Sequence, residues 1–184
     1  SVDDPDRQKR CAQACASLAD TGRSAELLAA KALAQLAIGM RAHPSQVDVQ
    51  AYGCAVLARM EISPDAPLAT CDAVMDSLLL PAAIAAILRH PASPLVQLHG
   101  ARALLTIANG GERFIQALIA SEGVSLLAGL LQQPAPACDA SCAALDVIGR
   151  SGSKGKHALV NQGAAASLFT VIASSKATFA WRRT

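Results

Sequence analysis

The chain has 184 residues and a formal charge of +2, from 16 basic and 14 acidic side chains, too near balance for the strongly basic face that nucleic acid draws. Hydrophobic residues make up 52% but aromatics only 3%, and the remainder is mostly Ala and Leu, a mixture suited to short, closely packed helices and not to strands. The longest strongly apolar stretch, LLLPAAIAAIL from Leu78 to Leu88, falls short of the roughly 20 residues that span a bilayer and contains Pro81.

Taken in chain order, the opening SVDDPDRQKR does not begin with Met and has no apolar signal-peptide core, so the true start is expected to be missing or processed. A first helix is expected over 8–21, holding RCAQACASLAD from Arg10. A second follows in LAAKALAQLAIGMRAHP from Leu28, and Pro44 in the turn RAHPSQVDVQ separates it from a helix over 48–60. MDSLLLPAAIAAILRHP from Met75 repeats that second helix, and the turn RHPASPLVQ, with Pro91 and Pro94, leads into a helix over 95–108. Then come the short FIQALIAS from Phe114, SEGVSLLAGLLQQP from Ser121, and a helix over 136–149. KHALVN from Lys156 and NQGAAASLFTVIASS from Asn161 repeat that pair, with Gly123 and Gly163 in equivalent places, and KATFAWRRT is expected to start one more long helix.

The helices expected over 8–21, 48–60, 95–108 and 136–149 share columns. One column reads Ala14, Gly53, Gly100 and Ser141, and the next reads Cys15, Cys54, Ala101 and Cys142. A third reads Leu18, Leu57, Leu104 and Leu145, and VQ precedes the Gly in the middle two copies. Small residues at i and i+1 with Leu at i+4 make a thin stripe against which a neighbouring helix can lie closely. Repetition of the same columns is what a stack needs, because each unit buries its face on the next.

A short helix, Gly, an apolar helix with paired Leu, a polar turn, then VQ followed by small residues and Leu resembles the armadillo repeat, most clearly in VQLHGARALLTIANGGERFIQALIASEGVSLLAGLL from Val96 to Leu131. HEAT repeats, with two helices per unit and usually no Gly before the second, are the nearest alternative. The resemblance implies an all-α, right-handed solenoid of about four three-helix repeats, incomplete at both ends. Approximate units are 1–22, 23–62, 63–110, 111–152 and 153–184, and the chain is expected to be a fragment of a longer protein.

Two motifs carry bland readings. Cys11 with Cys15, and Cys138 with Cys142, are i, i+4 pairs, but no CxxC and no His at ligand spacing accompanies them. Cys15, Cys54 and Cys142 are therefore expected to be small packing residues, buried and unbonded. GRSGSKGKH from Gly149 has a phosphate-loop composition with the wrong spacing, and it reads as the loop equivalent to NGGER from Asn109. The histidines, at 43, 90, 99 and 157, fall in turns or on helix surfaces without a nucleophile and acid in a known pattern. No catalytic residue, metal or cofactor is expected.

In the armadillo family the third helices line a concave groove, and import adaptors hold basic peptides there with Trp and Asn. Those positions read Ala16, Ala55, Arg102 and Ala143, and Asp20, Arg59, Thr106 and Val147, so a nuclear-localisation peptide is not the expected ligand. The expected groove residues are Asp20, Arg59, Leu98, Arg102, Thr106 and Asp139, with Arg59 and Arg102 converging on an acidic segment. The resemblance thus implies a non-catalytic interaction scaffold that binds a protein or peptide. Two alternatives stay open: the helical arm of a larger enzyme of ubiquitin-ligase or kinase type, and a structural subunit of a cilium or organellar complex. Six scattered cysteines point to the cytoplasm or another reducing compartment, with nucleus, cilium and organelle left open.

Overall fold

The computed structural model describes residues 4–23, 26–27 and 31–180, with side chains as far as residue 173. Among the described residues the secondary structure is entirely helical. We number the helices α1 (Pro5–Asp20), α2 (Ala32–Ala42), α3 (Val47–Ala58), α4 (Leu68–Asp76), α5 (Leu79–Arg89), α6 (Pro94–Asn109), α7 (Glu112–Ala120), α8 (Gly123–Leu130), α9 (Ala135–Arg150), α10 (Ser153–Asn161) and α11 (Ala164–Ala180). The four expected column-bearing helices are α1, α3, α6 and α9, each within a few residues of its expected bounds.

Their starts are set by local chemistry. Asp4 accepts from the backbone N–H of Asp6 and Arg7, with Pro5 at the first helical position. Ser93 accepts from Val96 N–H and is followed by Pro94 in the same way. A proline here loses no bond, because the first N–H groups of a helix have no intrahelical partner.

The packing order is linear. α3 lies between α1 and α6, and α6 lies between α3 and α9. The helices between them form a second series, α2 on α5, α5 on α8 and α8 on α11, and α2, α5 and α8 each also pack on the long helix that follows. The Leu column of the long helices points between the two series. Leu57, Leu104 and Leu145 are at most 1% exposed, each contributing roughly 1.5–3 kcal/mol of burial. Leu18 in α1 is only half-buried.

Two repeated devices join the series. Gln50 Nε2 donates to the carbonyls of Met40 and His43, at 2.8 and 2.9 Å. Gln97 Nε2 does the same to Ile87 and His90, both at 2.9 Å. Each glutamine thus closes the open C-terminal carbonyls of the preceding short helix, and both are almost fully buried. Next to them, a Cβ on Gly53 would meet Met40 Sδ at 2.3 Å, and one on Gly100 would meet Ile87 Cγ1 at 2.4 Å. Glycine in that column is the space into which the short helix's side chain fits. In the fourth copy Ser141 stands there, its hydroxyl donating to Ala137 O at 2.9 Å.

Three expectations need correction. The helix expected from Met75 is two helices, with a 45° bend at Ser77–Leu78. Ser77 Oγ donates to Val74 O and accepts from Leu79 N–H, while Leu78 takes φ 57°, so the chain turns the corner despite its apolar sequence. Glu122 (φ 57°) and Gly163 (φ 77°) hold the matching corner later on, so Gly123 is one residue out of register with Gly163. Finally, α11 runs on to Ala180 with no Pro or Gly to end it, where a new long helix was expected to start. Part of the helix expected from Leu28, and the last four residues of KATFAWRRT, lie outside the described residues.

Candidate functional site

The face built by successive long helices carries most of the polar residues picked out from the sequence. Asp20 ends α1, and Arg59 caps α3. Because they occupy one column in adjacent copies, their side chains meet: Arg59 Nε donates to Asp20 Oδ1, and Nη1 donates to Ala55 O at 3.1 Å. Lys9 and Asp48 form a second ion pair between the same two helices, which raises the Lys9 pKa through the hydrogen bond first and the opposite charge next. Solvent screens both pairs, so they add little to stability.

Thr106 is half-buried, and its hydroxyl donates to Ala58 O at 2.9 Å, closing the end of α3 from α6. The threonine is thereby used within the fold. Leu98 lies apart, in a hollow of about 90 Å³ with Pro94, Gln97, Gln133, Pro134, Pro136 and Ala137, where α6 meets the start of α9. Asp139 is exposed on α9. Arg102 is exposed on α6 and makes no ion pair among the described residues.

The structure therefore brings Asp20, Arg59 and Arg102 into one neighbourhood, and the residue between them is His99. Its imidazole pKa is lowered, by burial first and then by Arg59 and Arg102, with Asp20 opposing. His99 Nδ1 is buried without a hydrogen-bond partner. By sequence alone His99 is a histidine on a helix surface. The available signal was its place one helical turn before Arg102, in a column that reads Gln13, Tyr52, His99 and Ala140. The expected convergence of two free arginines is modified, since Arg59 already has Asp20.

The cysteines depart from expectation in part. All six are free, and Cys54 is buried as expected, but Cys15 and Cys142 are half-buried. Cys54 sits in α3, which has a long helix on both sides. Cys15 and Cys142 sit in α1 and α9, each of which has a long-helix neighbour on one side among the described residues. Complete burial pushes the Cys54 thiol up to about 12. We expect Cys11, which is exposed, to be alkylated by iodoacetamide at pH 8 within minutes while Cys54 stays unmodified until the protein unfolds. Peptide mass mapping reads this directly. The sign of the linked pH effect follows: above the ordinary thiol value of 9.0 the unfolded chain sheds a proton that the folded protein keeps, so stability falls as pH rises from 9 toward 12.

Elsewhere, a hollow of about 390 Å³ lies between the short helices α5 and α8, lined by Ile84, Leu88, Ser125 and Leu126 among others. Among the described residues no group of three or more His, Cys, Asp or Glu is placed to hold a metal ion, and no single helix is long and apolar enough to cross a membrane. No protein-family model, curated protein sequence or solved structure matches the chain.

Proposed function

We propose that the chain is a run of armadillo-type repeats in a right-handed solenoid, and that it acts as a non-catalytic scaffold holding a peptide or helix of a partner protein across α1, α3, α6 and α9. The observation that carries this reading is the linear order of those four helices, each packed on the next. Within two successive units the same contacts join the long helix to the short helix before it: the glutamine clamps at Gln50 and Gln97, and the glycine contacts at Gly53 and Gly100. A stack of like units presents equivalent side chains at regular intervals, which suits an extended ligand. The packing of α7 on α10 and α8 on α11 extends the same order to the later units.

The test is selection of ligands. Peptides from a random display library should be retained by the chain in 0.1 M salt, compete with one another, and be lost on Leu98→Asp, which keeps the helical circular dichroism. Selected peptides that ignore Leu98→Asp and are lost instead on Leu88→Asp would move the site to the hollow between α5 and α8 and overturn this reading. A second reading, a subunit of a larger assembly, is favoured by Val160 and Phe169, large apolar side chains 67% and 72% exposed on α10 and α11.

A further inference from the structure

Resting on the scaffold reading, we propose that Arg102 and His99 form a two-donor subsite for a single carboxylate, and that the partner segment is acidic where it crosses α6. Arg102 and His99 are three residues apart on one helix, so their side chains are surface neighbours. The orphaned Nδ1 of His99 bears on where the ring carries its proton. Protonating it would put an N–H in a buried place with no acceptor, beside the charges of Arg59 and Arg102. We assign the proton of the neutral ring to Nε2, where it can be donated to a ligand, because on Nδ1 it would be a buried N–H without an acceptor. A carboxylate has two acceptor oxygens, one for Nε2–H and one for the Arg102 guanidinium.

Charge complementarity selects the occupant. On this part of the face Asp20 offsets Arg59, and Arg102 remains as the uncompensated cation. One carboxylate balances it without leaving a buried charge unpaired. Arg59 is held by Asp20 and by Ala55 O, so it stands beside the subsite and outside it. Asp20 also repels an incoming carboxylate.

The experiment titrates the 15N-labelled chain with a blocked hexaglutamate peptide at low ionic strength, following amide shifts. Saturable shifts centred on residues 98–106 are expected. Arg102→Gln should weaken binding about tenfold, the scale of one charge-assisted hydrogen bond. His99→Gln keeps a donor near the Nε2 position and should stay within about twofold of the unaltered chain, whereas His99→Leu should lose about tenfold. Asp20→Asn should tighten binding by about threefold, by removing the repelling charge and releasing Arg59. Equal affinity in Arg102→Gln, or equal loss in His99→Gln and His99→Leu, overturns the subsite. The scaffold reading is separable: library peptides that carry no acid, need Leu98 and ignore Arg102→Gln would leave it standing while removing the acidic partner.

Discussion

Gly155→Ala is expected to destabilise the protein by about 3 kcal/mol, the upper part of the range for overpacking, and to lower Tm by roughly 6–12 °C. Gly155 lies in the first turn of α10, against the last turn of α9. A Cβ there would stand 1.9 Å from the carbonyl oxygen of Ile148 and 2.6 Å from Ser151 Oγ. Unlike the contacts at Gly53 and Gly100, the nearest atom is backbone, so no rotamer change relieves it. The two helices would have to separate, uncovering Ile148, which is fully buried. The control is Gly129→Ala in α8, where a Cβ meets nothing within 4 Å and a helical alanine is favoured over glycine by roughly 0.5–1 kcal/mol. Thermal melts read both, and a Gly155→Ala protein as stable as the parent would mean that α9 and α10 do not approach this closely.

That glycine belongs to the stretch whose composition imitates a phosphate loop. Its spacing excluded the phosphate reading, yet only the structure supplies the reason for the residue: backbone lies on backbone. The preceding Gly152, at φ 116° and ψ −162°, occupies a region that side chains avoid, as does Gly111 at φ 93° and ψ −171° in the equivalent loop. The equivalence of NGGER and GRSGSKGKH was thus legible in the sequence as glycine position, before any geometry.

Much of the helix order was legible because small residues, Leu and Pro recur at fixed offsets, and burial periodicity dictates each of them. What stayed hidden depended on packing that the columns do not encode. Nothing in the propensity of Leu marks Leu78 for φ 57°; the corner is imposed by burial of Leu79 and Leu80 on one side and Val74 on the other. The Asp20–Arg59 pair, by contrast, was written in the columns. Residues in one column of adjacent copies face each other, so opposite charges there pair with one another before they reach a ligand. Lys9 with Asp48 obeys the same rule, and Arg113 with Asp72 links α7 to α4 at a similar spacing. Applied at the outset, that rule would have left Arg102 as the cation of interest. His99 was harder, since its significance rests on an unpartnered buried nitrogen that no sequence pattern announces.

These ion pairs are exposed and contribute little energy, so they fix how neighbouring copies register more than whether they associate. The stronger joint is the glutamine clamp, and Gln97→Ala is expected to cost about 2–4 kcal/mol. Gln97 is 3% exposed, and its single Nε2 group serves two carbonyls, Ile87 and His90. Deleting it leaves the end of α5 with polar groups that water reaches poorly, at about 1–3 kcal/mol for each orphan. The His90 ring makes a separate bond, from Nε2 to Pro44 O at 2.8 Å, which ties the turn to the preceding copy. Gln97→Glu separates the hydrogen bond from the packing. The carboxylate keeps the shape but faces two carbonyl oxygens, so its charged form is disfavoured and its folded-state pKa rises above the ordinary value of about 4.3. A group with a raised folded pKa stabilises only while protonated, so this variant should regain stability as pH falls through that raised value, whereas Gln97→Ala should not. Denaturant melts at pH 7 and pH 5 distinguish the two, and parallel pH responses would show that the clamp acts through packing and not through its two hydrogen bonds.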